Sequence, residues 1–197
     1  MRYILSLFLL TSFLSYSQEK YLTPFEKGNG NQSTTYEECI AYYKKLDSAF
    51  ETVYLKEMGK TDSGEPLHII IFNSDKQFSF TQINRDKAVI LVNNGIHPGE
   101  PDGIDATMML IRDLATKKVS VPKNTVLVAI PVYNIGGSLN RNSHSRANQN
   151  GPEAYGFRGN ARNFDLNRDF IKTDSRNSKS FQEIFHLVNP DMFIDNH

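Results

Sequence analysis

The chain is short of several things at once. It has one cysteine, Cys39, so no intramolecular disulfide can form. It has no excess of either charge, with Lys+Arg and Asp+Glu both at 22 in 197 residues. Nucleic-acid backbones are held by clustered cations, so this balance argues against a nucleic-acid partner. There is no internal repeat and no low-complexity tract. The apolar stretch Tyr3–Leu14 is too short to span a bilayer comfortably, which takes about 20 residues. Arg2 before that stretch and Ser15-Tyr16-Ser17 after it instead have the form of a signal peptide over residues 1–17, cleaved before Gln18. The expectation is export to a periplasmic or extracellular compartment, with no stable membrane insertion after cleavage. Cys39 lies too far from that stretch to be a lipid-modified cysteine. Its spacing from Tyr36, Tyr43 and Leu46 puts it on the apolar face of a helix as a packed thiol rather than a nucleophile.

What remains is the material of a soluble globular domain. Apolar residues make up 39% and charged residues 22%, enough Val, Ile, Leu and Phe to bury a core. Residues 18–34 are polar and contain Gly28-Asn29-Gly30-Asn31, and read as a flexible leader. Thr35 and Glu38 have capping-box spacing, and Tyr36, Ile40, Tyr43, Leu46 and Phe50 follow at helical intervals, which predicts a helix over 35–50. Val53–Met58 and Pro66–Phe72 flank Asp62-Ser63-Gly64 as a hairpin. Three buried strands are expected at Ala88–Val92, Thr125–Ile130 and Met192–Asp195. Between them lie a helix marked by Ile104, Met108, Ile111 and Leu114 with Asp102 as its N-cap, and another marked by Phe181, Ile184, Phe185 and Val188. Apolar strands separated by helices predict an α/β fold with a mixed, partly parallel sheet flanked by helices. The segment from Asn134 to about Asn163 reads as one long polar loop. The chain stops at His197 directly after a buried-type strand, which reads as a truncation within residues 35–197.

Three patterns carry chemistry. Asn94-Gly95-Ile96-His97-Pro98-Gly99-Glu100 follows one strand and precedes a helix, where ligand sites of open α/β sheets gather. A tight Pro-Gly turn lets His97 and Glu100 face inward together, and imidazole and carboxylate are both zinc ligands. Alone, H-x-x-E is a common pattern, and a histidine beside a proline turn is usually a surface residue. Asp195-Asn196-His197 ends another strand, so His197 would join the first loop if the two strands are neighbours. Two ligands close in sequence and a third far along the chain is the usual layout of a catalytic zinc site. The stretch Phe157–Phe170 holds Arg158, Arg162 and Arg168 with Asn160, Asn163 and Asn167. It is either a solvated loop or an anion pocket, since a guanidinium makes a bidentate fork to a carboxylate. His68, His144 and His186 read as a packed or edge residue, a loop residue and a helix-surface residue.

Taken in order, these patterns with Asp165-Leu166-Asn167-Arg168 resemble the zinc carboxypeptidase (M14) family over residues 35–197. The resemblance implies an α/β/α fold, incomplete at its C-terminal side. It implies one Zn²⁺ per chain held by His97, Glu100 and His197, the His₂Glu ligand set that general zinc chemistry already attributes to carboxypeptidase A. It implies that Asn167 and Arg168 hold the free C-terminal carboxylate of a peptide substrate, and that Asp165 supports the first zinc histidine. The oxyanion arginine is matched to Arg158, with Arg162 and Arg146 as alternatives. The family's general-base glutamate and substrate-covering tyrosine would lie beyond His197, so the chain by itself is expected to be inactive. Two other readings stay open: a zinc deacylase or amidase of the same superfamily, and a non-catalytic zinc- or peptide-binding protein.

Overall fold

The computed structural model describes residues 20–197. The signal-peptide reading of residues 1–17 lies outside the described residues. From Tyr36 onward the chain alternates helices and strands. After a one-turn helix α1 (Pro24–Lys27), the elements are α2 (Tyr36–Ala49), β1 (Val53–Lys60), β2 (Pro66–Phe72), α3 (Phe80–Asp86), β3 (Ala88–Asn93), α4 (Asp102–Ala115), β4 (Thr125–Ile130), α5 (Ile135–Leu139), a 3₁₀ turn (Leu166–Arg168), α6 (Arg176–Val188) and β5 (Met192–Asp195). The five strands form one sheet in the order β1-β2-β4-β3-β5. β1 pairs antiparallel with β2, and β2 with β4, while β4, β3 and β5 run parallel. This is the mixed, partly parallel sheet with flanking helices that the sequence predicts.

Local chemistry explains most boundaries. Thr35 caps α2 through a complete capping box with Glu38, an arrangement worth about 1 kcal/mol. Cys39, Tyr43 and Leu46 then recur on the face that is fully buried. β3 and β4 are runs of Val, Ile, Leu and Ala, because strands flanked on both sides and covered by helices have no polar face. α6 starts at Ser175, whose hydroxyl accepts from Ser178 N–H, and ends at Asn189 in the left-handed conformation at φ 45°. Its Phe181 packs against Tyr133, Phe170 and Phe193 on the sheet side.

Four expectations need correction. Asp102 is not an N-cap: Pro101 holds that position, and Asp102 sits in the first turn of α4, where its charge complements the helix dipole. The polar stretch after Asn134 contains the short helix α5, capped by the Asn134 side chain on Gly137 N–H, and a bridge between Asn142 and Tyr155. The stretch 20–34 is not loose. Tyr21, Thr23, Ser33 and Thr34 are buried, because Arg112 and Tyr42 donate to the Tyr21 carbonyl, and Arg141 donates to the Ser33 and Thr34 carbonyls. Lastly, β5 is an edge among the described strands, with neighbours on one side only. Met192, Phe193 and Ile194 therefore stand 38–55% exposed instead of buried.

The topology sets the position of the site. In the parallel part, Asn93 at the end of β3 is level with Ile130 of β4 and Asp195 of β5. Three strands thus finish on one edge, and the loops leaving them share a single neighbourhood.

Candidate metal centre

The loop after β3 begins with Gly95 at φ +65°, a conformation glycine adopts without steric cost. Behind it, Ile96 N–H donates to the His197 carbonyl (2.9 Å), and Asn196 N–H to the Asn93 carbonyl (2.9 Å). The chain past β5 therefore continues the parallel pairing for two more residues and lays His197 beside His97. Their ring centroids are 4.6 Å apart, edge to face. The Pro98-Gly99 turn is pressed against the 155–157 segment: a Cβ on Gly99 would meet the Gly156 carbonyl at 2.7 Å. Glu100 N–H closes the turn on the His97 carbonyl (2.8 Å), which swings the carboxylate back toward the imidazole.

The three side chains converge. His97, Glu100 and His197 each offer one donor atom, and all three atoms lie within 4.8 Å of one another. His97 Nδ1 and Glu100 Oε1 are 3.6 Å apart. Two donors bonded to one tetrahedral zinc stand about 3.4 Å apart, so this pair already has the required spacing. The donor set fits the ion in kind as well: two imidazoles and a carboxylate, with room for a fourth ligand.

Electrostatics prepares the ligands. His97 is fully buried, and burial is the main cause that holds its pKa below the ordinary value, against the opposing pull of Asp165. It is therefore a neutral imidazole near neutral pH. Asp165 Oδ1 lies 2.9 Å from His97 Nε2 and directs the ring proton there, leaving the Nδ1 lone pair toward Glu100 and His197. Burial pushes the Asp165 carboxyl up, but hydrogen bonds from His97, Arg158 and Asn167 N–H outweigh it and bring the pKa down to about 2. Glu100 is likewise raised by burial and brought below its usual range by Arg146, whose Nη2 donates to Oε1 at 2.6 Å.

The three arginines considered for an oxyanion role separate clearly. Arg158 donates through Nε and Nη2 to Asp165 Oδ2 (3.1 and 2.9 Å), and its Nη1 stands 3.3 Å from His97 Nδ1. Arg146 is bound to Glu100. Arg162 points away, 4.0 Å from Asp62 and stacked on Phe164 at 4.4 Å. Asn167 follows Asp165 on the 3₁₀ turn, and its Nδ2 is 3.4 Å from His197 Nε2. Arg168 is exposed, donates to the Asn167 carbonyl (3.2 Å) and forms no ion pair among the described residues. The remaining histidines are outside the cluster: His68 is buried in β2, His144 is in an exposed turn and His186 is on α6. Cys39 is fully buried and burial pushes its thiol pKa far up, which suits packing and not nucleophilic attack.

Sequence reasoning missed two features. One is the pairing of Arg146 with Glu100. The other is Asn134, which is fully buried and donates to the Ile96 and Arg158 carbonyls. A clue to the second is its position directly after a buried strand, at the sheet edge where His97 and His197 also lie.

The model of the zinc carboxypeptidase family matches residues 39–190. The chain belongs to the zinc carboxypeptidase family. The match includes His97, Glu100, Asp165, Asn167 and Arg168 and stops before His197, so the third donor stands on geometry. Solved structures share the fold. A metallo-carboxypeptidase from Burkholderia cenocepacia aligns with TM-score 0.64 and 20% identity, over 83% of this chain and 40% of that one. A carboxypeptidase A from Helicoverpa armigera aligns with TM-score 0.59 and 18% identity, over 84% and 46%. Bovine thrombin-activatable fibrinolysis inhibitor, in complex with tick carboxypeptidase inhibitor, aligns with TM-score 0.57 and 12% identity, over 84% and 60%. The chain thus spans less than half the length of the first two. No curated protein sequence matches this chain. Among the described residues no helix is long and apolar enough to cross a membrane.

Proposed function

We propose that the protein carrying this chain is an exported zinc carboxypeptidase that removes the last residue from peptides with a free C-terminal carboxylate. The observation that carries the reading is the convergence of His97, Glu100 and His197 beside Arg158 and Asn167, with Arg168 next in sequence on the same 3₁₀ turn. When bound, zinc supplies Lewis acidity, which polarises a carbonyl and makes water nucleophilic near neutral pH. The chain's own residues do the rest of the work available to them. His97 and His197 present ring-nitrogen donors, and Asp165 fixes the tautomer of the first. Arg158, with Nη1 turned toward the metal-facing side of His97, is the oxyanion group, stabilising negative charge that develops on the scissile carbonyl oxygen. Arg168, exposed and without a carboxylate partner among the described residues, forks onto the substrate's terminal carboxylate, and Asn167 steadies it. That anchoring sets which bond lies at the metal, so only a terminal residue is removed. The general base is assigned to none of the described glutamates, since Glu100 is committed to the metal set.

The test is hydrolysis by the zinc-loaded full-length protein of a peptide with a free C-terminus, the same peptide amidated, and N-acyl amino acids. Release of the terminal amino acid from the free peptide alone is the expected result. Arg168→Ala should raise KM about 10–100-fold, the value of a charge-assisted pair, and leave kcat nearly unchanged. Preference for N-acyl amino acids over the peptide would move the assignment to a deacylase, and zinc binding without turnover of any substrate would leave a binding protein.

A further inference from the structure

We infer that Asn134 is a positioning residue that fixes the metal loop and Arg158 relative to each other; this rests on the carboxypeptidase reading of the site. Asn134 follows β4 by a few residues and is fully buried. All of its hydrogen-bonding groups are engaged. Its backbone N–H donates to the Gly95 carbonyl (3.0 Å), and its carbonyl accepts from Ser138 N–H (3.0 Å). Its Oδ1 accepts from Gly137 N–H (2.9 Å). The two protons of Nδ2 go to two different segments: one to the carbonyl of Ile96 (3.2 Å), the residue before His97, and one to the carbonyl of Arg158 (2.9 Å).

This division of labour is specific to a primary amide. The two N–H bonds of one planar NH₂ leave at a fixed angle, so two acceptors bound to it are held at a set separation. Aspartate has the shape but no donors, serine has one donor and shorter reach, and leucine leaves both carbonyls unpaired in a dry site. Asn134 is therefore a two-pronged tie between the backbone under His97 and the backbone under Arg158. The neighbouring helix completes the tie. Phe157 N–H donates to the Gly137 carbonyl (2.8 Å), and a Cβ on Gly137 would sit 2.7 Å from the Asn134 amide nitrogen. The glycine lets the arginine-bearing segment dock directly on α5. None of the hydrogen bonds of Asn134 goes to Arg168, so its influence runs to the metal and the oxyanion arginine and not to carboxylate recognition.

The experiment is a double-mutant cycle in the zinc-loaded full-length protein with Asn134→Ser, Arg158→Ala and the pair, reading kcat, KM and zinc affinity by chelator competition. Serine keeps an oxygen acceptor for Gly137 N–H, so the cap of α5 survives. Asn134→Asp, which keeps the shape but removes both donors, is the second variant should the first fail to fold. The expected result is a loss of about 10–100-fold in kcat with KM unchanged, the scale seen when groups supporting a metal ligand are removed. The pair is expected to lose less than the product of the two single losses, because without the Arg158 side chain the tie has only the metal loop left to position. Full additivity in the pair, or a folded Asn134 variant with wild-type kcat and zinc affinity, overturns the inference. If the wild-type protein binds zinc but turns over no peptide, the carboxypeptidase reading fails by itself. The zinc-affinity cycle then decides the tie: non-additivity supports it and additivity refutes it.

Discussion

Asp165 offers the sharpest test of how the site is held. One oxygen accepts from His97 Nε2 (2.9 Å) and Asn167 N–H (3.0 Å), the other from Arg158 Nε (3.1 Å) and Nη2 (2.9 Å). Asp165→Asn can keep an oxygen facing His97, but it then sets an NH₂ group against the guanidinium and breaks two charge-assisted hydrogen bonds. It also removes the negative charge that makes His97 a better donor. Groups of this kind typically change metal affinity about 10–100-fold, or about 1.4–2.7 kcal/mol. Arg158 moves the expectation toward the upper end, because its Nη1 is 3.3 Å from the metal-facing nitrogen and its charge would be left uncompensated next to a dication. The assay is chelator competition for zinc near neutral pH, with folding followed by circular dichroism. A folded Asp165→Asn protein whose zinc affinity stays within about threefold of wild type, well below that range, would refute the claim that this carboxylate orients the ligand.

Two further perturbations address the scaffold. Asp105 on α4 is buried, with Thr34 Oγ1 donating to it at 2.5 Å, and burial is the main cause that raises its pKa to about 6, with Asp102 adding to it and Arg141 opposing. Its folded pKa exceeds the ordinary value of 3.8, so between these two pH values the native state holds a proton that the unfolded chain has released. Stability should therefore fall as pH rises through this window and stay level above it, by at most about 3 kcal/mol. Asp105→Asn should flatten that slope and be the more stable form near about pH 8, as read from denaturant midpoints across pH. Parallel curves for the two proteins would count against it. Gly95→Ala adds a Cβ 2.9 Å from Ile104 Cδ1 at φ +65°. A loss of about 1–3 kcal/mol in stability is expected, with weaker zinc binding since His97 is two residues on, and wild-type zinc affinity in this variant would be the contrary result.

Much of this protein was legible in one dimension. The Thr35–Glu38 capping box, the apolar runs at Ala88–Val92 and Thr125–Ile130, and the helical spacing through Phe181 and Val188 are local signals, because a cap or a buried strand is written in adjacent residues. His97 and Glu100 were also readable, since one tight turn brings them together. Three things were decided only by the tertiary structure. The place of His197 depends on β5 lying parallel beside β3, a pairing between segments about a hundred residues apart that no local pattern encodes. The resemblance already favoured Arg158 over Arg146 and Arg162, but which carboxylate each guanidinium lies beside, Asp165, Glu100 or Asp62, is set only once the loop is folded. The packing of residues 20–34 came from Arg112 and Arg141 supplying donors to its carbonyls. A chain segment with few apolar residues looks loose in sequence, because the groups that satisfy its backbone lie elsewhere in the chain.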